Sequence, residues 1–330
     1  MPSIRSVALT LALCAAAGCA GEPVGSDDEA ATDAGALGPV PQGVPTRHPI
    51  VLAHGFDASP DNRWGFRGVA EALRADGHRV YVAIVPPYQS PAARAAYLAD
   101  HVEAALADGA ERVNIVAHSM GGLDARVLVS ALGYGDVVAS VTTISTAHHG
   151  SAVADAALAV IDGLGVDGKL LDALGTLWGL GFNELAHDTN VRAALEGLSE
   201  AAAPAFNAAH GDDPRVYYQS WAGVSSVGGI RNPRDWSACE DRVLGGRPKA
   251  DKMHASLVPM AAFVAHGVKL DPNDGMVRVA SAKWGDFRGC IPADHLDQVG
   301  YEAKGPDART RFSHIRFYRN LAFELADGGY

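Results

Sequence analysis

The chain has 330 residues, 48% hydrophobic and 20% charged, with a formal net charge of −11. That composition is globular and leaves room for one large α/β domain or two small ones. The acidic balance gives no electrostatic reason to expect nucleic acid as a partner, nor adhesion to anionic lipid.

The first element is a processing segment. Arg5 precedes the apolar stretch VALTLALCAAAGCA, which is too short to span a bilayer and suits the core of a signal peptide. Within it, AAGC at residues 16–19 has the form of a bacterial lipobox, with Cys19 as the residue to be acylated. Ala16 stands where Leu is usual, so simple cleavage near Ala20 is the rival reading. Residues 20–46 carry Gly, Pro, Ala and Asp with almost no large apolar side chains, and read as a disordered tether. The expected organisation is a lipoprotein-type signal over 1–19, a tether over 20–46 and one domain over 47–330. Export follows, either anchored through Cys19 to the outer membrane or released as a secreted or periplasmic protein.

From residue 47 strands and helices alternate. Apolar, β-branched runs predict strands at 49–53, 79–85, 113–117, 137–144 and 215–220. Helical spacing predicts helices at 66–75, 91–107, 122–132, 191–209 and 311–326. This alternation predicts an α/β fold, a mostly parallel doubly wound sheet. Residues 151–182 form an Ala-, Leu- and Gly-rich block with few charges, and residues 224–275 look irregular. Cys14 and Cys19 belong to the leader, which leaves Cys239 and Cys290 to form one disulfide in an exported domain. Closing that loop contributes about 4 kcal/mol on the chain-entropy model.

The junction RVNIVAHSMGGLDARVLVSAL, residues 112–132, carries the chemistry. A strand passes into a helix within two residues, with Ser119 at the turn and small residues Ala117 and Gly121 on either side. Such an elbow lifts a hydroxyl clear of the sheet and aims the N–H of Met120 at whatever binds there. After the first strand, AHGF at 53–56 offers the N–H of Phe56 as a second donor for an oxyanion, while the His54 ring reads as structural. A serine nucleophile also needs an acid and a base, in the order Ser, Asp or Glu, His. Asp274 lies in a Pro-Asn-Asp-Gly turn and His295 follows 21 residues later, with Asp271 and Asp294 as alternatives for the acid. The pair His148-His149 lacks a third ligand at metal-binding spacing.

The blocks PIVLAHGF, VNIVAHSMGGLDAR, SVTTISTAHHGS, NDGMV and HLD, in that order, resemble the bacterial triacylglycerol lipases of the Pseudomonas and Burkholderia type. The resemblance implies an α/β-hydrolase fold with a helical lid near 151–182. It also implies Ser119 as nucleophile, Asp274 as acid and His295 as base, with the amides of Phe56 and Met120 as oxyanion hole. A structural calcium ion is implied too, held by Asp251 and Asp297 and by backbone carbonyls near Tyr301 and Gly305. The expected activity is hydrolysis of long-chain carboxylic esters at a lipid interface. A carboxylesterase or polyester hydrolase with the same triad is the nearer alternative, and a tethered binding protein without activity the more distant one. Some relatives require a dedicated foldase, a further partner to consider. Ala280 replaces the family's cysteine after the acid, so the Cys239–Cys290 pairing rests on cysteine count.

Overall fold

A computed structural model describes residues 35–56, 65–163, 189–301, 303 and 305–330. The expected signal peptide with Cys19, the tether as far as residue 34 and the part of the expected lid beyond residue 163 lie outside the described residues. Six strands, β1 (Ile50–Ala53), β2 (Val80–Val82), β3 (Val113–His118), β4 (Val138–Ile144), β5 (Tyr217–Gly223) and β6 (Asp286–Ile291), form one sheet in the order β2-β1-β3-β4-β5-β6. Every neighbouring pair is parallel.

Parallel sheets are covered on both faces, which is why β1, β3 and β4 are buried along their whole length. Alternation along β1 divides the core. Val51 and Ala53 face a layer that includes Leu98 of α2 (Pro91–Ala107) and Leu128 of α3 (Gly121–Ser130). Ile50 and Leu52 face Leu73 of α1 (Val69–Ala75) and Leu321 of the C-terminal helix His314–Asp327. Two shorter helices, α4 (Ala152–Ile161) and α5 (Thr189–Leu198), sit above the carboxyl edge of the sheet, and α6 (Ala203–Ala209) follows. No helix among the described residues is long and apolar enough to cross a membrane.

Several sequence expectations change. The helix expected over 191–209 is broken into α5 and α6, with Pro204 in the first turn of α6, where its missing N–H costs nothing. β6 escaped notice because Asp286 and Arg288 interrupt its apolar run on the exposed side of a sheet edge. The stretch expected to be irregular holds two short helices, α7 (Asp235–Ala238) and α8 (Val258–Val264), followed by α9 (Val279–Ala282) and α10, the C-terminal helix. A disulfide, Cys239–Cys290 with S–S 2.03 Å, ties the end of α7 to β6. Residues 35–46, expected as the end of a disordered tether, instead lie along α10. Leu37 N–H donates to the Arg311 carbonyl at 2.6 Å, and Arg316 and Asn320 donate to the carbonyls of Ala36 and Pro39. The segment is held through its backbone, so its lack of large apolar side chains did not keep it in solvent.

Candidate active site

The loops leaving the carboxyl ends of β1, β3, β5 and β6 converge at one edge of the sheet. At the end of β3 the chain turns so sharply that Ser119 adopts φ 54°, a left-handed conformation rare for a residue with a side chain. Its N–H donates to the Ile144 carbonyl at 2.9 Å, and its carbonyl accepts from Thr146 Oγ1 at 2.7 Å. Glycine is required just after it: a Cβ at Gly121 would lie 2.4 Å from the Ala53 carbonyl oxygen, and one at Gly122 would lie 2.1 Å from Thr146 Oγ1. Gly55 faces the serine so closely that a Cβ there would sit 2.9 Å from Ser119 Cβ.

His295, in the loop after β6, reaches both partners. Its Nε2 is 2.9 Å from Ser119 Oγ, and its Nδ1 is 2.8 Å from Asp274 Oδ2. Asp274 is fully buried, and its carboxylate accepts from several donors, the Ser145 hydroxyl among them. Met276 and Val277 N–H bond to Oδ1, while His295 Nδ1 and Gln298 Nε2, the latter at 2.9 Å, bond to Oδ2. Burial alone pushes this carboxyl up. The His295 charge and the donated hydrogen bonds outweigh it and hold the group at about 2. The alternative acids are engaged elsewhere: Asp271 pairs with His266 at 3.1 Å, and Asp294 accepts the N–H groups of His254, Leu296 and Asp297. The His118 ring lies 4.5 Å from that of His295, and burial, then the His295 charge, push it well below the usual imidazole range.

Two residues in this arrangement carry no motif. Gln298, three residues after His295, is a further side-chain donor on Asp274, and a Cβ at Gly223 would collide with its amide nitrogen at 2.1 Å. Arg94 is completely buried; its Nε pairs with Asp124 at 2.8 Å, and its Nη2 donates to the carbonyls of His54 and Gly55 at 2.8 and 2.9 Å. Burial raises the Asp124 carboxyl while the Arg94 charge draws it back. In the trans peptide after Gly55, the Phe56 N–H points away from the carbonyl that Arg94 holds. The Met120 N–H, at the head of α3, donates to no carbonyl among the described residues. A sequence signal for Arg94 existed: it shares the buried stripe of α2 with Pro91, Leu98 and Val102.

His54 is structural by its contacts, accepting from Val85 N–H, and burial followed by the Arg94 charge pushes it down to about 3. His148 is buried against Trp284 with Thr143 Oγ1 3.0 Å from its Nε2, whereas His149 is exposed. Beside Ser119 opens a cavity that spans about 620 Å³, open solvent included. Ser119, His118, Ser151 and His295 are its polar lining, and Phe56, Val153, Ala154, Leu195, Leu198 and Met276 belong to its apolar walls.

The α/β-hydrolase fold family model matches residues 48–165. A triacylglycerol lipase of Vibrio cholerae is 33% identical over 306 residues, covering 86% of this chain and 89% of the relative. The chain belongs to the bacterial triacylglycerol lipase family. A triacylglycerol lipase of Pseudomonas fragi is 29% identical over 300 residues, with 87% and 98% covered. Among solved structures, a Staphylococcus hyicus lipase superposes with a TM-score of 0.61 at 17% identity, covering 88% of this chain and 98% of that one, a likeness of fold.

Of the ligands this family resemblance implies for calcium, Asp251 and Asp297 lie together, and Asp294 joins them. One oxygen from each lies within 4.8 Å of the others. Asp251 is buried and its Oδ2 has no hydrogen-bond partner among the described residues. Burial, then the Asp294 charge, pushes it up to about 7. Buried carboxylates this close repel unless a proton or a cation intervenes, and an all-oxygen donor set suits a hard cation. Tyr301 follows the turn that bears Asp297, and Gly305 lines a cavity with Asp297.

Arg94→Met should cost about 3–5 kcal/mol of stability, because it leaves Asp124 buried without its partner. Adding Asp124→Leu should recover most of that stability but not ester turnover, since the His54 and Gly55 carbonyls still lack their donor. Thermal melts and turnover of a dissolved ester, measured on both variants, test this. Wild-type turnover in the double variant would remove Arg94 from any part in holding the loop.

Proposed function

We propose that the protein is an exported serine hydrolase that cleaves carboxylic esters of long-chain acyl groups, triacylglycerols among them. Family membership makes it a lipase or ester hydrolase. The finer reading is carried by the continuous line of contacts from Asp274 through His295 to Ser119 Oγ. Ser119 Oγ attacks the acyl carbon and its proton passes to His295 Nε2, while Asp274 orients the ring and offsets its positive charge. The tetrahedral oxyanion is received by the Phe56 and Met120 amides. As the C–O bond breaks, His295 returns the proton to the departing alcohol. Water then gives a proton to the same nitrogen as it attacks the acyl carbon, and His295 returns that proton to Ser119 Oγ as the acyl–serine bond breaks and the acid leaves. The apolar walls formed by Leu195, Leu198 and Val153 favour an acyl chain over a polar substituent.

Ser119→Ala should lower turnover by at least about a thousandfold without unfolding the protein, and Asp274→Asn by about ten thousandfold, because the amide leaves His295 in the wrong tautomer. Steady-state hydrolysis of a dissolved short-chain ester measures both. Retention of a tenth of wild-type turnover in a folded Ser119→Ala protein would end the proposal.

A calcium ion belongs to this reading, held by Asp251 and Asp297 with the Tyr301 and Gly305 carbonyls, and with Asp294 in the same cluster. When bound it supplies charge neutralisation. Asp297 lies two residues beyond His295, so the loop that presents the base is steadied with it. Chelation should lower the thermal midpoint, calcium should restore it and magnesium should not, being too small and strictly octahedral. A melting curve indifferent to chelator and calcium in wild type, and unchanged by Asp297→Ala, would count against the site.

Acylation of Cys19 is part of the same proposal, with the leader removed and the protein carried to a membrane. Growth with a clickable fatty acid should label wild type and spare Cys19→Ser; an unlabelled wild type would reduce the proposal to simple secretion.

A further inference from the structure

Ten large apolar side chains are exposed among the described residues, and four of them, Val227, Ile230, Val258 and Leu270, line one groove, with a fifth, Val268, between its lining residues Gly267 and Leu270. Ile230 is 77% exposed and Val268 96%. The groove spans about 1,210 Å³, open solvent included, and is floored by the buried Met253. Its first lip is the loop that leaves the carboxyl end of β5, so it opens at the same edge of the sheet as Ser119. Its wall is α8, whose other face, with Met260 and Val264, packs in the cluster that includes Phe56, Met120 and Val153. Asn232 Nδ2 donates to the Leu270 carbonyl at 2.7 Å and the Arg234 guanidinium donates to the Lys269 carbonyl, so the two lips are fastened to one another. The exposed apolar side chains are thus carried on a braced rim.

The same rim is cationic. Arg231, Arg234, Lys252 and Lys269 are exposed, and among the described residues no carboxylate lies within ion-pair distance of any of them. The nearest acids leave a surplus: Asp271, on the groove's own lining, is engaged by His266 and Arg278, and Asp235 lines a neighbouring cavity that Arg231 also borders, beyond ion-pair distance of it. The net charge of −11 hides this local surplus. Exposed apolar side chains ringed by unpaired cations match a lipid surface bearing anionic headgroups, where the first enter the acyl boundary and the second meet the phosphates. A second copy of the chain fits poorly, since a two-fold contact would set cations against cations.

We infer that this groove and its rim dock the protein on an anionic lipid surface and turn the carboxyl edge of the sheet, with Ser119, toward it. The inference rests on the hydrolase reading for its purpose but not for its test. Full-length protein, carrying Cys19→Ser in every arm so that no acyl anchor contributes, is sedimented with vesicles of phosphatidylcholine or of an equal mixture of phosphatidylcholine and phosphatidylglycerol. Wild type should bind the mixed vesicles more tightly, and less so at high salt. Ile230→Asp with Leu270→Asp should weaken binding to both vesicles by about tenfold, the scale expected for losing two buried aliphatic side chains from the boundary. Arg231→Glu with Lys269→Glu should remove only the preference for the anionic vesicles. Turnover of a dissolved short-chain ester should stay within about twofold in every variant, as none of these residues lines the Ser119 cavity. Absent wild-type binding, binding indifferent to the substitutions, or a wild-type dimer that Ile230→Asp dissolves would overturn the inference. Vesicle binding without turnover of the dissolved ester would instead break the hydrolase reading and leave the docking surface standing.

Discussion

Asp274 carries a charge with no exposure to water, and much of the surrounding structure exists to make that tolerable. A buried, ionised carboxylate costs several kcal/mol unless its lone pairs are taken up by donors. Here two donors come from the backbone of its own turn, two from the loop after β6, and the Ser145 hydroxyl from the end of β4. The turn over 273–277 is therefore fixed by the charge it carries, with Asn273 Oδ1 accepting from Gly275 N–H to close it. The end of β5 is constrained as well, because only glycine at position 223 leaves room for the Gln298 amide. Once the carboxylate is fixed, the His295 ring has one comfortable place, within reach of Ser119.

On the other side of Ser119 the same economy operates with the sign reversed. Arg94 is a fully buried cation, and it too is tolerated because every neighbour is an acceptor: Asp124, and the carbonyls of His54, Gly55 and Pro86. An acidic partner alone would serve the charge; the carbonyls tie it to the loop after β1. Ser119 thus stands between two buried charges, each anchored to a separate loop, and the strained φ of the serine is the seam where those loops meet. That seam closes only because Gly121 and Gly122 let α3 start hard against β1 and the loop after β4.

What the sequence disclosed follows from how local each signal is. The parallel sheet was readable because β1, β3 and β4 are buried along their length and rich in β-branched residues, and the helix over 91–107 because only Arg94 interrupts its buried apolar stripe. The elbow was readable because Ser119 and its small neighbours are adjacent in the chain. The choice among Asp271, Asp274 and Asp294 was not, since all three sit in polar turns and only the fold decides which faces His295. Residue by residue it was the resemblance to a family, not spacing, that singled out Asp274. Gln298 and Arg94 act on atoms 24 and 39 or more residues away, and nothing beside them in the chain marks that reach. Asp294 was weighed as an acid for His295 and instead lies among the carboxylates on the far side of the loop.

His295 therefore sits between two acidic centres that the protein treats differently. Asp274 is satisfied by protein donors and is held at about 2; Asp251, in the other centre, keeps an oxygen without a partner and is pushed up to about 7. Asp294 connects them, since its carboxylate accepts the N–H groups of Leu296 and Asp297 and its carbonyl accepts from Gln298 N–H. The turn from Asp294 to Gln298 is in this way gripped at one end by the carboxylate cluster and at the other by Asp274. Only a handful of hydrogen bonds within one short turn separate the cluster from His295. The position of His295 is thus set by polar contacts on both sides of one short turn, and the sheet beneath fixes where that turn begins.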